Sequence, residues 1–268
     1  MRSSILWGER VIYMDKILIH TAGNTAALRT ATEYLQDRGV AFSATADPDV
    51  THLLLPVPSF EPDGRIKGGG ILEHTLADLP ENVTVIGGNL HHPVLVGYKQ
   101  LDLLQDECYL AQNAAITADC AVHIAGNALP VVLQGCPVLI IGWGRIGKCL
   151  ARRLRAMGAS VTVAARRERD RAMLRALGYG TENTARLGLC LLRYRLIINT
   201  APYPVLTRQQ VGYCAGDCLL MDLASEKGID SPNVIWARGL PNKNAPESSG
   251  QLMAATVLRL LRGKEGCV

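Results

Sequence analysis

The sequence is poor in aromatic residues, and it has no C-x-x-C pair and no apolar run long enough to cross a bilayer. Aromatic side chains make up 5% of the 268 residues, as is common where Ala, Val, Leu and Ile fill the sheets of an α/β protein. The eight cysteines are scattered without metal-ligand spacing, so we expect no metal site. The amino-terminal residues lack the apolar core of a signal peptide, so we expect a cytoplasmic protein without membrane contact.

The overall charge is also slight. A net charge of +4 does not indicate nucleic acid binding, and 48% hydrophobic with 19% charged residues indicates a globular protein with substantial cores. A chain of 268 residues has room for two domains. Met14 directly precedes a predicted first strand at 16–21, so we interpret residues 1–13 as an appendage or a misassigned start.

The most informative segment is a glycine-rich turn between a predicted strand and a predicted helix. The apolar run 138–141 predicts a buried parallel strand, and Gly142, Gly144 and Gly147 follow it in G-x-G-x-x-G spacing. Arg145 and Ile146 occupy the two variable positions and open a helix, after which 160–164 predicts a second strand. This strand–turn–helix–strand order predicts a dinucleotide site whose pyrophosphate lies at the helix N-terminus.

The residues after the second strand predict which dinucleotide binds. An NAD-specific site has Asp or Glu there to bond the ribose 2′-hydroxyl, whereas this chain has Arg166 and Arg167. Two guanidiniums suit a 2′-phosphate through forked, charge-assisted hydrogen bonds, so we predict NADP(H). The alternative is a solvated basic turn, because Arg169 and Arg171 continue the run.

Strands and helices alternate in the rest of the chain, which favours a parallel sheet covered by helices. We predict two Rossmann-like, doubly wound parallel-sheet domains joined by an amphipathic, Ala-rich helix at 111–129. The other predicted strands are 41–44, 52–56, 83–86, 196–199, 218–222 and 233–237, and the other predicted helices are 26–38 and 249–261.

Four sequence pieces carry a family resemblance over most of the chain, from about Met14 onward and most strongly beyond residue 110. The pieces are Asn113-Ala114-Ala115-Ile116-Thr117-Ala118-Asp119, Asn199-Thr200-Ala201-Pro202, Met221-Asp222-Leu223-Ala224-Ser225, and Gly239-Leu240-Pro241 with Ala245-Pro246 and Gly250. In these pieces the chain resembles the A-subunit family of dipicolinate synthase, the enzyme of sporulating bacteria that makes pyridine-2,6-dicarboxylate.

The resemblance implies how the domains are used. We expect an N-terminal substrate or partner domain at 14–110, the interdomain helix at 111–129, and an NADP-binding domain at 130–245. A C-terminal helix at 246–268 is expected to pack back on the N-terminal domain. The family implies formation of dipicolinate from dihydrodipicolinate, with NADP as cofactor and a flavoprotein-like second synthase subunit, the B-subunit, as partner. We further expect a homo-oligomer that binds a small dicarboxylate and no nucleic acid.

The chain departs from the family near its amino terminus. The family has Gly-Gly-Asp and an Arg two residues on, where this chain has Ala22-Gly23-Asn24 and Ala26. The Ile-Pro-Thr of the bridging helix is Ala115-Ile116-Thr117 here. Because the lost charges could contact substrate, the exact substrate stays open.

Candidate catalytic and substrate residues follow from the same motifs. We predict that Thr200, Ala201 and Pro202 line the cofactor and that substrate lies in a cleft between the domains. Asp222 is a candidate base, with a buried acid at a strand end as the alternative, and Thr117 is a second candidate catalytic residue. Candidate substrate contacts are Asn113, Asp119, Ser59 and Ser225; for the helix residues the alternative is a polar hinge, and for Ser59 a solvated loop.

Two functions of other classes fit parts of the sequence. A 2-hydroxyacid dehydrogenase would explain the two domains and Ala237-Arg238-Gly239, but its chemistry needs a His beyond that Arg, and the last His here is His123. A non-catalytic NADP(H)-binding regulatory or scaffold subunit stays open as the alternative to the synthase.

Overall fold

The computed structural model describes residues 17–263, apart from the side chain of Leu189. Within that range the chain divides into two compact units, one made of the residues up to Tyr109 together with those from Gly250 onward, the other of Leu110–Ser249. The predicted appendage at 1–13 lies outside the described residues. In the described part, no helix is both long and apolar enough to cross a membrane.

The first unit contains a five-stranded sheet of order β2-β1-β3-β4-β5, in which every pair is parallel. Leu53, Val85 and neighbouring aliphatic side chains form its core. Its elements are β1 (Leu18–Thr21), α1 (Ala26–Gln36), β2 (Ala41–Ser43), β3 (His52–Leu54), α2 (Leu72–Ala77), β4 (Thr84–Gly87) and β5 (Gln100–Asp102).

The second unit contains a six-stranded sheet of order β11-β10-β9-β6-β7-β8, again parallel throughout. Aliphatic clusters cover both faces of this sheet. Its elements are α3 (Glu107–Ala128), β6 (Pro137–Ile141), α4 (Arg145–Ala156), β7 (Ser160–Ala164), α5 (Glu168–Ala176), β8 (Gly180–Glu182), β9 (Leu196–Asn199), α6 (Arg208–Val211), β10 (Leu219–Asp222), β11 (Ile235–Trp236) and α7 (Leu240–Asn244); α8 (Pro246–Leu261) follows.

The fold class predicted from the sequence is confirmed: two parallel-sheet α/β domains of Rossmann type are present. The strands at 160–164 and 196–199 have the predicted bounds, while the long helix α3 begins four residues before its predicted start. The elements α2, β5, α5, β8, α6 and α7 were not predicted. They are short or strongly charged, so neither an apolar run nor a helical stripe distinguishes them from loops.

The C-terminal helix α8 contacts α1 closely within the first unit. A methyl group at Gly250 would lie 2.5 Å from the carbonyl oxygen of Ala27 and 2.7 Å from Cβ of Thr30, so only glycine fits there. The helix α1 presents Leu28, Ala31 and Leu35 as a buried stripe. Close approach of the two helices therefore packs the last described helix against α1.

An ion pair also holds α8 in the first unit. The guanidinium of Arg259 lies 2.5 Å from the carboxylate of Asp106, and the two side chains are only 9% and 15% exposed. Burial raises the pKa of Asp106, but hydrogen bonds from Arg259 and from the backbone amide of Tyr109 outweigh it and hold the pKa below its usual range. A carboxyl with a depressed pKa stabilises the fold above its unfolded pKa and loses that contribution as the pH falls through the folded value.

We expect Arg259→Met to lower the free energy of unfolding by about 3 kcal/mol, because it leaves Asp106 buried without a counterion. Chemical denaturation at neutral pH measures the loss, and the difference from wild type should shrink as the pH falls and Asp106 becomes protonated. The matched control is Arg65→Met, which removes an ion pair with Asp63 whose side chains are 68% and 50% exposed. That control should cost less than about 1 kcal/mol; an equal loss for both variants would contradict the analysis.

Candidate functional site: a dinucleotide cradle at the carboxyl edge of the second sheet

The glycine turn after β6 has the geometry of a pyrophosphate cradle. Gly142 has a φ of +111°, a backbone conformation that residues with a side chain rarely adopt. A Cβ at Gly147 would lie 2.3 Å from the carbonyl oxygen of Gly142, so the first turn of α4 packs directly on the turn. Gly144 is the N-cap residue of α4 and offers no capping side chain. Amides at this helix N-terminus are therefore oriented to bind an anion.

Thr200 closes the cradle from the neighbouring strand β9. Its hydroxyl donates to the carbonyl oxygen of Ile141 at 3.0 Å, and it would lie 2.5 Å from a Cβ at Gly142. The threonine hydroxyl is thus a structural contact between two strand ends. Ala201 and Pro202 follow Thr200 along the same edge of the sheet, where the sequence predicts cofactor contacts.

A small pocket lies beside the turn, at the end of β7. It has a volume of about 190 Å³, and Arg166 and Arg167 are two of its lining residues. Both arginines are exposed, and in the described part of the chain neither guanidinium has a partner. Asp170 and Tyr203 also line this pocket.

The rest of the basic run behaves differently. The guanidinium of Arg171 donates to the backbone carbonyls of Ala165 and Arg166 and pairs with Glu168, which also pairs with Arg175. Hydrogen bonds from Arg175 and Arg171 hold the pKa of Glu168 below its usual range. The run is therefore not a uniform solvated turn, because Arg171 is bonded within the protein whereas Arg166 and Arg167 remain available to a ligand.

A second pocket, of about 410 Å³, lies at the same edge of the sheet on the other side of the turn. Arg238 and Ser225 are its exposed polar residues, and the guanidinium of Arg238 lies 5.1 Å from the ring centroid of Trp236. The sequence placed Ser225 at the substrate site but left Arg238 without a role. The lining residues are Ile146, Thr200, Pro202, Leu223, Ala224, Ser225, Arg238 and Gly239.

Asp222 is the most deeply buried charged residue of this edge and makes four hydrogen bonds. One carboxylate oxygen accepts from Nδ2 of Asn199 and from the amide of Ala224, each at 3.0 Å. The other accepts from the amides of Gly228 and Ile229 at 2.7 and 3.0 Å. Its side chain has no exposed surface. This geometry is that of the buried acid at a strand end, the alternative weighed from the sequence, and it leaves no oxygen free to act as a base.

Asn199 connects Asp222 to the cofactor edge, a role that the sequence did not reveal. It is fully buried; its Nδ2 donates to the carbonyl oxygen of Ala201, and its Oδ1 accepts from the amide of Ala201. The side chain therefore fixes the turn that carries Thr200, Ala201 and Pro202. Its place in the Asn-Thr-Ala-Pro motif was the only signal that could have pointed to it.

Two other predicted site residues are engaged in structural contacts. Ser59 has no exposed surface, and its hydroxyl donates to the carbonyl of Pro56 and accepts from the amide of Gly88. Asp119 forms a two-point ion pair with Arg153 of α4. The polar groups of both residues are bonded within the protein, and their roles in substrate binding stay predictions.

Thr117 is 7% exposed, and its hydroxyl donates to the backbone carbonyl of Asn113 at 2.8 Å. Helical threonines commonly make this bond one turn back. Asn113 itself is half-buried, and its role in substrate binding stays a prediction. Among residues 17–263, no group of three or more His, Cys, Asp or Glu residues is placed to hold a metal ion.

The cradle defines the second unit as a nicotinamide-dinucleotide-binding domain, and comparison with known proteins agrees. The family model described as D-isomer specific 2-hydroxyacid dehydrogenase, NAD binding domain, matches residues 120–213. That stretch runs from within α3 to just after α6, so it contains the glycine turn and both arginines of the pocket beside it.

One relative gives a more specific comparison than the domain family does. The A-subunit of dipicolinate synthase from Bacillus subtilis is 27% identical over 171 residues, which make up 61% of this chain and 58% of the relative. The alignment thus spans less than two thirds of that relative's length. The resemblance to this synthase family, stated from the sequence motifs, is confirmed.

Solved structures share the fold over nearly the whole chain. The crystal structure of the dipicolinate synthase A-subunit from Bacillus halodurans gives a TM-score of 0.79 at 20% identity, covering 92% of this chain and 98% of that one. The corresponding chain from Bacillus subtilis gives 0.80 at 20% identity, with coverage of 93% and 98%. A transhydrogenase from Sinorhizobium meliloti gives 0.71 at 14% identity, covering 92% and 93%. At these identities the similarities show a shared fold and nothing more.

We expect Asp222→Asn to lower the free energy of unfolding by about 3 kcal/mol. In the wild type both carboxylate oxygens accept hydrogen bonds, whereas in the variant the NH₂ group of Asn would replace one of these oxygens and face donors that it cannot bond. Thermal and chemical denaturation measure the effect. Asp230→Asn, which changes an exposed acid in the loop after β10, is the matched control and should stay within about 0.5 kcal/mol of wild type. A fully stable Asp222→Asn variant would contradict the structural role.

Proposed function

We propose that the chain is an NADP(H)-dependent oxidoreductase, the cofactor-binding subunit of a dipicolinate-type synthase. The observation that carries the cofactor preference is the exposed, unpaired state of Arg166 and Arg167 at the end of β7. An acid at this position would repel a 2′-phosphate, whereas two free guanidiniums attract it. The presence of Asp170 in the same pocket suits the ribose rather than the phosphate.

The residues present fit the dinucleotide. Gly142, Gly144 and Gly147 form a cradle that any Cβ would fill at the first or last of these positions, and the N-terminus of α4 faces it. When bound, the nicotinamide accepts or donates a hydride. Thr200 and Asn199 hold the strand end that would position its ring, and Ile146 and Leu223 contribute apolar lining to the second pocket.

We expect the wild-type chain to bind NADPH at least about tenfold more tightly than NADH, and Arg166→Ala/Arg167→Ala to lose about 1.5–3 kcal/mol for NADPH and almost nothing for NADH. Isothermal titration with both cofactors measures this. As the control, Arg186→Ala/Arg208→Ala removes two other exposed arginines and so changes the net charge by the same amount. It should leave both affinities unchanged. Equal affinity of the wild type for the two cofactors would refute the preference for NADP(H).

The second pocket suits a small dicarboxylate. Arg238 supplies a cation and Ser225 a hydroxyl beside the strand ends where the nicotinamide would lie, and a guanidinium binds a carboxylate through two parallel hydrogen bonds. We propose that they bind one carboxylate of dihydrodipicolinate while it is oxidised to pyridine-2,6-dicarboxylate, the dipicolinate in the name of the B. subtilis relative. That relative is named as one part of a synthase with more than one kind of chain, so we also propose a second polypeptide as partner.

We expect the chain, co-expressed with the polypeptide encoded beside it and given dihydrodipicolinate and NADP⁺, to form a product that absorbs like pyridine-2,6-dicarboxylate. Arg238→Gln should lower turnover or raise KM by about tenfold or more, because a charge-assisted hydrogen bond to substrate is lost. Arg208→Gln, an exposed arginine outside this pocket, should have no effect. NADPH binding by Arg238→Gln shows whether the cofactor site is intact.

One observation favours a second candidate function, a non-catalytic NADP(H)-binding regulatory or scaffold subunit. Asp222 is saturated with hydrogen bonds, and His123, the only histidine of the second unit, bonds to Asn127 on its own helix. Neither group is a free general base. A chain that binds NADPH tightly yet gives no pyridine product with its partner in either redox state would favour this candidate.

A further inference from the structure

A third pocket of the second unit lies beside the helices α4 and α5. Two aromatic rings form one wall: Trp143, from the glycine turn, and Tyr179, just before the edge strand β8. Their ring centroids are 6.1 Å apart at an interplanar angle of 61°, an edge-to-face arrangement. The pocket holds about 410 Å³, within the range of small-molecule sites.

Three cations of α4 line the same pocket. Lys148, Arg152 and Arg155 lie at i, i+4 and i+7, on one face of the helix. The guanidinium of Arg155 lies 4.6 Å from the centroid of Tyr179 and donates to the carbonyl of Leu177, and Nζ of Lys148 lies 5.9 Å from the centroid of Trp143. Within the described range, none of the three pairs with an acid.

The remaining lining is apolar and exposed. Met173 and Leu177, at the end of α5, keep 56% and 48% of their surface in contact with solvent. Apolar side chains and cations that line one pocket together offer both surface for an apolar ring and charge for an anion. Glu168 of the same helix is committed to Arg171 and Arg175 and does not neutralise the pocket.

We propose that this pocket binds a small planar aromatic polyanion. The rings and the apolar side chains would contact the faces and edges of a flat ring, while Lys148 and Arg152 would bind its negative groups. Two sources supply this chemistry, an aromatic dicarboxylate and a nucleoside monophosphate. The first rests on the proposed function, since pyridine-2,6-dicarboxylate is then the product of the same protein.

The site is distinct from the cofactor cradle but adjacent to it. Trp143 lines both this pocket and the pocket of Arg166 and Arg167. A ligand that restrains the indole would alter cofactor affinity, and the cofactor would alter ligand affinity by the same factor. The test therefore uses the protein saturated with NADPH, which also keeps a nucleotide out of the adenosine site.

Isothermal titration of the NADPH-saturated full chain with pyridine-2,6-dicarboxylate, adenosine monophosphate and glutarate tests the proposal. We expect saturable binding of at least one aromatic anion and much weaker binding of glutarate, which carries two carboxylates without a ring. Lys148→Gln/Arg152→Gln should weaken the aromatic ligand about fivefold or more, since each exposed charge contact contributes a few-fold. Added salt should weaken it further.

Two controls separate this site from the others. Arg186→Gln/Arg208→Gln makes the same charge change elsewhere and should leave binding intact. Arg238→Gln, which alters only the proposed substrate pocket, should leave adenosine monophosphate binding intact and remove at most the substrate-pocket component of pyridine-2,6-dicarboxylate binding. Loss of binding in Arg238→Gln with none in Lys148→Gln/Arg152→Gln would overturn the proposal while leaving the proposed function standing. Failure of both aromatic anions to bind, or a loss of NADPH affinity in Lys148→Gln/Arg152→Gln, would also overturn it.

Discussion

The second unit depends on a single buried carboxylate. Asp222 ends β10 with no exposed surface, and its four donors come from Asn199, Ala224, Gly228 and Ile229. An isolated charge in such a place would be prohibitively costly, so the loops that supply the donors must fold around it. Through Asn199 the same carboxylate fixes the turn after β9, which forms one side of the cofactor edge. Architecture and site are therefore coupled: the group that stabilises the strand ends also orients the residues proposed to face the nicotinamide.

The pairing of the charged side chains indicates more about the binding sites of this protein than its net charge does. The net charge of +4 is small, yet the second unit contains arginines of two kinds. Arg153, Arg171 and Arg175 pair with acids and contribute to packing. Arg166, Arg167 and Arg238 line pockets, and the described residues place no acid against their guanidiniums. Because an unpaired surface cation is free to bind an anion without first breaking an internal bond, these three are the best candidates for contacts with phosphate and carboxylate.

The sequence could predict the features that depend on local spacing. Gly142, Gly144 and Gly147 predicted the cradle because a dinucleotide requires close backbone approach at fixed intervals, and the alternating apolar runs predicted parallel sheets. Charged or short elements such as α5 and β8 were missed, since their helical or extended conformation is imposed by packing rather than by pattern. The sequence did not show which bonds the candidate site residues make within the protein. Ser59, Asp119 and Thr117 are polar residues singled out from the sequence, and nothing local showed that their groups bond within the protein.

What the sequence by itself determined is therefore the fold class, the cofactor turn and the basic residues that follow β7. These rest on glycine conformation, strand periodicity and the identity of two adjacent side chains, all of which are local. Only the tertiary structure decided which polar groups remain free. It paired Asp119 with Arg153, surrounded Asp222 with donors and placed Arg238 beside Thr200 and Ser225. Pairing and burial are set by residues distant in sequence, and a side chain's availability to a ligand depends on both.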